Sequence, residues 1–508
     1  TSPGDLMKTG IDAMLQSLDP YTNYIPESDI EDFRFMTTGQ YGGIGAAINR
    51  RDGNVMITEP YEGFPAHKAG LMAGDVILEV NGKSTKGKNS SEMSKVLKGQ
   101  PGTALTMLIE RPGVDTPIEK SLVREEIKVK DVPYYGMVND RVGYIKLTSF
   151  TETASREVKA AFADMRENQG MRSVILDLRG NGGGLLREAV NIVNFFVEKG
   201  ELVVQTKGKV KDWEQSHRTL NAPLDLGIPL VILIDRGSAS ASEIVAGTIQ
   251  DLDRGVLIGQ KSFGKGLVQQ TRSLSYNSKL KITVAKYYIP SGRLIQKLDY
   301  SHRGADGKVS VVPDSLRSAF TTRKGRVVYD GAGITPDLET EEEPVSNVLA
   351  SLATQFMLFD YATQYRQQHD SIPDANAFSL SDAEYEGFLA YLDEKEFEFT
   401  TDSEKALKSL RETATEETYF GELEPQYEAM MAQLASRKKD DLIKYKSEIK
   451  PILENEIVAR YHYQSGRVEN SLANDPDVAR ALETLNEVTI YDDILKGTYP
   501  GSTTKKAE

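Results

Sequence analysis

The sequence predicts a multidomain α/β protein: a mixed-sheet α/β core, a β-rich domain inserted ahead of it, and a helical C-terminal region. The chain has 508 residues, which is too long for a single hydrophobic core. Between residues 140 and 290, short apolar runs alternate with segments of helical periodicity, and this alternation favours a layered α/β core. Beyond residue 340 the composition becomes acidic, and apolar residues recur at helical spacing.

Composition and charge narrow the classes of function. The net charge is −14, and the sequence has no basic stripe of the kind that binds nucleic acids. The chain contains no cysteine, so disulfides, thiol catalysis and thiolate metal sites are excluded. Its five histidines are too far apart to form a helical ligand pair, and we predict no metal site. No apolar run is long enough to cross a bilayer. The N-terminal residues do not resemble a signal peptide, although a mature secreted chain would lack one too.

The first 115 residues change character near residue 37. Residues 1–36 carry apolar side chains near helical spacing, and the first run ends at Asp19-Pro20, which predicts a helical N-terminal segment. Residues 37–115 are rich in short β-type runs separated by glycine turns. Val76–Val80 followed by Asn81-Gly82 is a strong signal for a strand and a tight turn.

The core and the tail show distinct periodicities. In the core we predict strands at 142–147, 173–178, 230–235 and 255–258, and helices at 153–166, 185–197 and 240–250. A β-rich continuation at 267–274 and 280–289 makes the sheet mixed. In the tail one apolar helix face is predicted from Leu442, Tyr445, Ile449, Ile452 and Leu453.

A cluster of serines follows the buried strand predicted at 230–235. Residues 237–243 are Gly-Ser-Ala-Ser-Ala-Ser-Glu and lead directly into a predicted helix. A serine at such a turn is well placed as a nucleophile, because the helix N-terminus offers free N–H groups and a positive dipole end to an oxyanion. The same pattern is typical of a serine that only caps the helix.

Two glycine-rich loops have more than one interpretation. Residues 180–184, Gly-Asn-Gly-Gly-Gly, either point N–H groups at an anion or only make a tight connection. Residues 259–265 fit the phosphate-loop pattern G-x-x-x-x-G-K, and Val174–Asp177 resembles its companion strand, so a nucleotide-binding protein is the alternative prediction. Against that alternative, Gly266 stands where Ser or Thr would hold Mg²⁺, and a strand is predicted where a helix should begin.

A serine and a lysine suffice for nucleophilic catalysis if the lysine is neutral. Its pKa must then be lowered by burial or by nearby positive charge. Gly264 and Gly266 allow the chain to pack closely around Lys265. Gln269, four residues further on, would share a strand face with Lys265, and its uncharged amide would hold the amine in place.

These residues resemble the C-terminal processing (tail-specific) peptidases, a family of PDZ-containing serine–lysine peptidases. The resemblance rests on residues 238–244 and on Phe263-Gly264-Lys265-Gly266 with Gln269-Gln270. Further similar motifs follow in order between about residues 15 and 340: 18–21, 70–77, 176–179 with the glycine loop, 287–293 and 331–337.

The resemblance implies roles for individual residues. Ser240 would be the nucleophile, Lys265 the general base and Gln269 its orienting residue, and the N–H groups of Gly184 and Ala241 would form the oxyanion hole. It implies no metal and no nucleotide cofactor. It also implies a periplasmic, cell-envelope or secreted location. It divides the chain into a helical segment (1–36), a PDZ domain (37–115), a serine–lysine peptidase core (116–340) and a helical C-terminal domain (341–508).

A glycine turn at residues 41–45 lies just ahead of a predicted strand. PDZ domains use such a loop to bind a terminal carboxylate and the adjoining strand edge to pair with the peptide. This predicts that Gly43, Ile44, Gly45 and Ala46 bind the apolar C-terminal tails of protein or peptide substrates.

Two questions of assembly and activity stay open at this stage. The apolar faces of residues 341–508 predict either a cap on the core or a homodimer contact. A PDZ scaffold with an inactive core is the remaining alternative to an endopeptidase.

Overall fold

A computed structural model describes residues 3–303, 309–341 and 344–506. The backbone packs as two compact units, each assembled from separate stretches of the chain. The first unit comprises Thr1–Tyr41, Lys128–Glu342 and Asp475–Glu508, and the second comprises Gly42–Ile127 and Glu343–Asn474. The predicted fold class is confirmed. The domain boundaries at 36, 115 and 340 remain predictions, and the structure groups the last helices with the first unit.

Residues 3–43 contain two helices and two short strands joined by turns. Helix α1 spans Pro3–Gln16, strand β1 Asn23–Ile25, helix α2 Ile30–Thr38 and strand β2 Gln40–Gly43, with a 3₁₀ turn at Glu27–Asp29. Helix α2 ends at Gly39, whose φ of 68° is left-handed and favours glycine. The predicted helical segment is therefore interrupted by β1, because a three-residue strand is too short to show a sequence period.

The β-rich region forms a sheet with two short helices. Its elements are β3 (Ala46–Arg51), β4 (Asn54–Pro60), α3 (Pro65–Lys68), β5 (Val76–Val80), β6 (Lys83–Ser84), α4 (Ser90–Leu97), β7 (Ala104–Glu110), β8 (Ile118–Val123) and β9 (Glu125–Lys128). The strand order is β3-β4-β5-β7-β8, with β6 beside β5, so β3 lies at an edge. The predicted strand 76–80 is confirmed. Alternate residues of the strands face a core that includes Ile57, Ile77 and Ile109.

The core elements follow the predicted alternation. They are β10 (Tyr134–Met137), β11 (Val142–Lys146), α5 (Ala154–Asn168), β12 (Ser173–Asp177), α6 (Leu186–Val193), β13 (Leu202–Lys207), β14 (Gln215–Arg218), β15 (Leu230–Ile234), α7 (Ala241–Asp251), β16 (Val256–Gly259), β17 (Leu267–Ser273), β18 (Lys279–Tyr288), β19 (Leu298–Arg303), β20 (Val309–Val311), β21 (Ala319–Thr321), β22 (Val327–Tyr329) and β23 (Leu338–Glu339). A 3₁₀ turn lies at Lys211–Trp213 and another at Asp314–Leu316.

The main sheet has the strand order β10-β11-β12-β15-β16-β23. Strand β10 runs antiparallel to β11, and the remaining pairs are parallel, so the sheet is mixed as predicted. Every residue of β12 and β15 is buried, as expected for strands covered on both faces. Because these neighbours are parallel, the loops after them leave from the same edge of the sheet. A second sheet has the order β1-β18-β13-β14, with β17 beside β18.

The acidic tail is helical, as predicted. Its helices are α8 (Asn347–Thr354), α9 (Met357–Gln368), α10 (Asp382–Glu394), α11 (Asp402–Glu416), α12 (Phe420–Lys444), α13 (Lys446–Ser471), α14 (Pro476–Asn486) and α15 (Val488–Lys496), with a 3₁₀ turn at Leu472–Asn474. The predicted apolar face is right for Ile449 and Leu453, which are fully buried. It is wrong for Ile452, which is 41% exposed because its position lies at the margin of the buried stripe. No helix within the described ranges combines the length and apolar content needed to cross a membrane.

Candidate active site

Three serines lie at the junction of β15 and α7, two in the turn and Ser242 in the first turn of the helix, and Ser240 is the one that lines a cleft. The Ser238 hydroxyl donates to the Leu178 carbonyl (2.8 Å), and the Ser242 hydroxyl donates to the Asn181 carbonyl (2.8 Å). Both side chains are fully buried. Ser240 is partly exposed and lines a cleft of about 570 Å³. The turn therefore commits two hydroxyls to holding the glycine loop and leaves the third open to a ligand.

The backbone of Ser240 is strained. Its φ of 56° and ψ of −110° are a conformation that residues other than glycine rarely adopt, at a cost of roughly 1–3 kcal/mol. Ser240 is the N-cap of α7, and its N–H donates to the side chain of Glu243 (2.8 Å). The strained turn thus holds the serine at the positive end of the helix dipole.

The two predicted oxyanion donors lie together in the cleft. Gly184 and Ala241 both line it, and neither N–H donates a hydrogen bond within the described residues. The glycine loop approaches the serine turn so closely that a Cβ on Gly183 would lie 2.9 Å from the Ala241 nitrogen and 2.9 Å from Ser240 Cβ. Two free N–H groups beside a serine suit a tetrahedral oxyanion.

Lys265 lies in the same cleft, between two crowded glycines. A Cβ on Gly264 would lie 2.5 Å from Lys297 Cβ, which explains why the loop requires glycine. The Lys265 Nζ lies 4.3 Å from the centre of the Tyr21 ring. Burial, followed by the charge of Lys281, lowers the pKa of Lys265 to about 8, and these effects outweigh the opposing carboxylates nearby. Part of the Lys265 population is therefore neutral at neutral pH.

Gln269 also lines the cleft, but its amide is engaged elsewhere. Its Nε2 donates to Thr283 Oγ1 at 3.1 Å. A bulge in β17 falls between Val268 and Gln269, so simple strand alternation from Lys265 does not apply. The orienting role of Gln269 stays a prediction.

Glu243 is a central residue of the site whose role the sequence analysis did not identify. Its carboxylate is fully buried and accepts four hydrogen bonds: Oε2 from the N–H groups of Ser240 (2.8 Å) and Lys265 (2.9 Å), and Oε1 from the Gly264 N–H (2.7 Å) and the Ser262 hydroxyl (2.6 Å). Burial nevertheless raises the pKa of Glu243 to about 7. The spacing Ser-x-x-Glu, typical of a capping box, was the signal available in the sequence.

Tyr287 joins the same two residues from their carbonyl side. Its hydroxyl donates its single proton between two carbonyl oxygens, that of Lys265 at 2.5 Å and that of Ser240 at 3.2 Å, and its ring is fully buried. Glu243 and Tyr287 therefore tie the peptide groups of Ser240 and Lys265 together, one through N–H donors and the other through carbonyl acceptors. We call this arrangement the backbone clamp.

A buried ion cluster supports the start of the glycine loop. Burial alone would raise the pKa of Asp177, but Arg179 and Lys146 outweigh it and lower that pKa to about 2. The Arg179 guanidinium also bonds Asp475 (2.7 Å) and Asp477 (2.9 Å) at the start of α14. Asp177 is thus fully paired with cations, unlike the Mg²⁺-binding carboxylate of a nucleotide site. Strand β17 begins two residues after Lys265, where a phosphate loop would open a helix.

The predicted peptide-binding residues lie at the edge of the β-rich sheet. Gly43 ends β2 and Ala46 begins β3, while Ile44 is buried and Gly45 has a φ of 72°. The carbonyls of Ile44 and Gly45 accept hydrogen bonds from Ala66 and Tyr61 (both 2.8 Å), whereas their N–H groups donate none within the described part of the chain. Free N–H groups followed by an edge strand form the geometry that binds a chain end.

Metal ligands are not clustered in this structure. Over residues 3–303, 309–341 and 344–506, no group of three or more acidic or histidine side chains could hold an ion.

Three regions of the chain match known protein families. Residues 141–302 match peptidase family S41, residues 56–111 match the PDZ domain, and residues 348–485 match the family described as "Probable PDZ-protease, C-terminal helical domain". The fold and these matches define a PDZ-containing peptidase with a helical C-terminal domain.

Two proteases with related sequences agree with this class. The chain is 39% identical over 301 residues to the carboxy-terminal-processing protease of Bartonella bacilliformis, covering 58% of this chain and 69% of that one. It is 37% identical over 300 residues to the carboxy-terminal processing protease CtpA of Bacillus subtilis, covering 58% and 63%. A solved structure of the photosystem II D1 C-terminal processing protease is 28% identical and covers 66% of this chain and 82% of that one, with a TM-score of 0.38. The chain belongs to the carboxy-terminal-processing protease family.

Proposed function

We propose that this chain is an endopeptidase that uses Ser240 as nucleophile and Lys265 as general base. The observation that carries the proposal is the difference in hydrogen bonding and exposure among the three serines. Ser238 and Ser242 bond buried carbonyls, whereas Ser240 lines the cleft together with Lys265 and the free N–H groups of Gly184 and Ala241. A lowered lysine pKa and a strained serine are both typical of catalytic groups.

The proposed reaction has two stages. Neutral Lys265 takes the proton of Ser240 Oγ while Oγ forms a bond to the peptide carbonyl carbon, and the oxyanion accepts hydrogen bonds from Gly184 and Ala241. The C–N bond then breaks, and Lys265 returns the proton to the leaving amine, which gives an ester of Ser240. In the second stage Lys265 takes a proton from water as the water attacks that ester. The C–Oγ bond then breaks, Lys265 returns its proton to Ser240 Oγ, and the new carboxyl end is released.

The test compares three serine substitutions on an unfolded protein substrate. Ser240→Ala should abolish cleavage and leave the protein folded, with a loss of no more than the roughly 0.5–2 kcal/mol that an N-cap side chain contributes. Ser238→Ala and Ser242→Ala are matched controls that should destabilise the protein by about 0.5–1.5 kcal/mol while cleavage persists, because each removes one of the two hydrogen bonds that a buried carbonyl accepts. Activity in Ser240→Ala, or normal folding with no activity in either control, would overturn the assignment. The same experiment decides against an inactive PDZ scaffold if the wild type cleaves.

We further propose that the PDZ region recruits substrates by their apolar C-terminal tails. The free N–H groups of Ile44 and Gly45 would bind the terminal carboxylate, and the edge of β3 would pair with the peptide beside helix α4. Ile44, Met93 and Leu97 supply the apolar surroundings.

Full-length Ser240→Ala protein allows binding to be measured without cleavage. Two peptides of identical sequence, one with a free carboxylate and one with an amide end, should differ at least tenfold in Kd, since charged hydrogen bonds are about twice as strong as neutral ones. Gly45→Val should remove the difference, because a Cβ there would lie 2.5 Å from Phe64 Cβ and distort the loop. Equal affinities in the parent protein would show that the loop does not recognise chain ends.

We also propose a location and an assembly for the protein. Family membership supports a periplasmic or cell-envelope location, which cell fractionation with an antibody tests directly. Exposed apolar side chains on α11 and α12, Leu410, Leu423 and Met430, support a homodimer contact through the helical region. Light scattering of the full chain and of a Leu410→Glu/Leu423→Glu/Met430→Glu variant tests it, and a monomeric parent would end the proposal.

A further inference from the structure

A second lysine, Lys281, lines the cleft that contains Lys265. It lies on β18, where its backbone pairs with Asn23 of β1 and Thr271 of β17. Its side chain is partly buried. Within the described residues its ammonium makes no hydrogen bond and no ion pair, although most lysines that lose hydration gain a carboxylate partner. Exposed lysines keep a protein soluble, but that role does not explain an unpaired lysine inside the cleft.

The acidic groups near the two lysines are already occupied by other donors. Glu243 accepts its four hydrogen bonds from the serine turn and the lysine loop. Asp19 accepts the N–H groups of Tyr21 (2.8 Å) and Thr22 (2.9 Å) and the Thr22 hydroxyl (3.0 Å). Both carboxylates therefore stabilise backbone geometry and leave Lys281 unpaired.

The other titratable groups of the cleft do not neutralise Lys281 either. Asp131 is buried and bonded to Thr151 and Thr153, and Tyr287 donates to the clamp carbonyls. The remaining charged group lining the cleft is Lys130, which is exposed and adds a third positive charge. The face of the Tyr21 ring contacts Lys265 itself and favours its protonated form.

We propose that Lys281 is a positioning residue whose ammonium keeps Lys265 in the neutral form that accepts the Ser240 proton. Lys281 acts through Lys265 and does not touch the reacting atoms. Two like charges in a partly desolvated cleft repel each other strongly. The positive charge of Lys281 therefore favours loss of the proton from Lys265, because the neutral amine is not repelled. The inference rests on the proposed role of Lys265 as base.

Burial lowers the pKa of both lysines, and the charge of Lys281 lowers the pKa of Lys265 further, to about 8. Tyr21, Glu243 and Asp19 all favour the protonated form of Lys265, and the charge of Lys281 acts against them.

The experiment measures kcat/KM between pH 6 and pH 10 for the wild type and for three variants of β18. Lys281→Met removes the charge and keeps the length of the side chain. Lys281→Arg keeps the charge. Lys286→Met is the matched control, because Lys286 is an exposed lysine on the same strand and lies outside the cleft.

Lys281→Met should move the rising limb of the profile upward by about one pH unit. Activity at pH 7 then falls about tenfold, and the plateau at high pH is unchanged. Lys281→Arg and Lys286→Met should keep the wild-type midpoint. If Lys281→Met does not fold, Lys281→Gln repeats the test.

A wild-type midpoint in Lys281→Met would overturn the proposal, and a raised KM for acidic substrates at that unchanged midpoint would assign Lys281 to substrate binding instead. A second measurement separates this inference from the proposed function. The pH dependence of Lys265 acetylation, read by mass spectrometry in a Ser240→Ala background, reports the Lys265 pKa whether or not the chain cleaves peptides. An upward shift on Lys281→Met supports the electrostatic coupling, and no shift refutes it. Retained activity in Lys265→Arg would instead defeat the proposed function.

Discussion

Replacing Glu243 tests whether the backbone clamp positions the serine and the lysine. In Glu243→Gln the remaining oxygen can still accept from Ser240 and Lys265, while the new NH₂ group faces Ser262 and leaves the Gly264 N–H without an acceptor. One buried, unpaired N–H costs about 1–3 kcal/mol. Glu243→Ala leaves three N–H groups unpaired, which costs roughly 3–9 kcal/mol by the same measure and approaches the whole stability of a typical protein.

The charge of Glu243 adds a dependence on pH whose sign is fixed. Its pKa rises from an ordinary 4.5 to about 7 on folding, so the folded protein binds this proton more tightly. The wild type therefore loses stability as the pH rises from about 4.5 through about 7, by about 3 kcal/mol at 1.36 kcal/mol per unit. Glu243→Gln has no ionisable group at this position. Relative to the wild type, its free energy of unfolding should therefore increase by about 3 kcal/mol between about pH 4.5 and about pH 7.

Urea unfolding at pH 5 and pH 8 measures the stability, and kcat on an unfolded substrate measures the positioning. We expect kcat to fall ten- to a hundredfold in Glu243→Gln and to vanish in Glu243→Ala. Glu188→Gln is the control, because Glu188 is also buried and accepts the Ser155 N–H (3.0 Å) away from the cleft. A folded Glu243→Ala protein with normal kcat would refute the clamp, and a stability difference that does not change with pH would refute the buried charge.

Three further results are expected. With a Lys265 pKa of about 8, kcat/KM should rise about tenfold from pH 7 to pH 9 and then level off, and a flat profile would contradict the role of base. Tyr287→Phe should lower the unfolding free energy by about 1–3 kcal/mol and reduce kcat several-fold, as shown by urea unfolding and steady-state kinetics. Gly183→Ala should lower kcat by roughly a hundredfold with little change in KM, because its Cβ would lie 2.7 Å from the Ala239 carbonyl oxygen. Gly182→Ala, whose Cβ would contact nothing within 4 Å, should be much milder, and equal losses would contradict the steric argument.

Local signals in the sequence predicted the core of the site. The buried run 230–234 followed by small residues indicates a strand-to-helix turn, and the glycines around Lys265 indicate close packing. Both patterns depend only on neighbours in the chain, so the elements that carry Ser240 and Lys265 could be placed without a structure. Strand β14 was not predicted, because Gln215–Arg218 is polar and mostly exposed and shows no apolar run.

Groups that act across long separations could not be predicted. Tyr21 contacts Lys265, 244 positions further along the chain, only because β1 pairs with β18. Arg179 and Asp475 are 296 residues apart. Lys281 is an ordinary lysine on an amphipathic strand until the fold places it in the cleft. Sequence periodicity says which face a residue occupies, whereas the charges that tune a base come from whichever strand the topology brings alongside.

The interleaving of the two units has a consequence for synthesis on the ribosome. Gly42–Ile127 emerges 347 residues before Asn474 completes the second unit. At roughly 5–20 residues per second, that interval lasts about 17–70 s. For most of that interval Asp475, the partner of Arg179 at the start of α14, has not yet been translated. We expect the nascent chain to hold its glycine loop loosely until Asp475 has been translated, so that the cleft becomes ordered only after the whole of the second unit has been made.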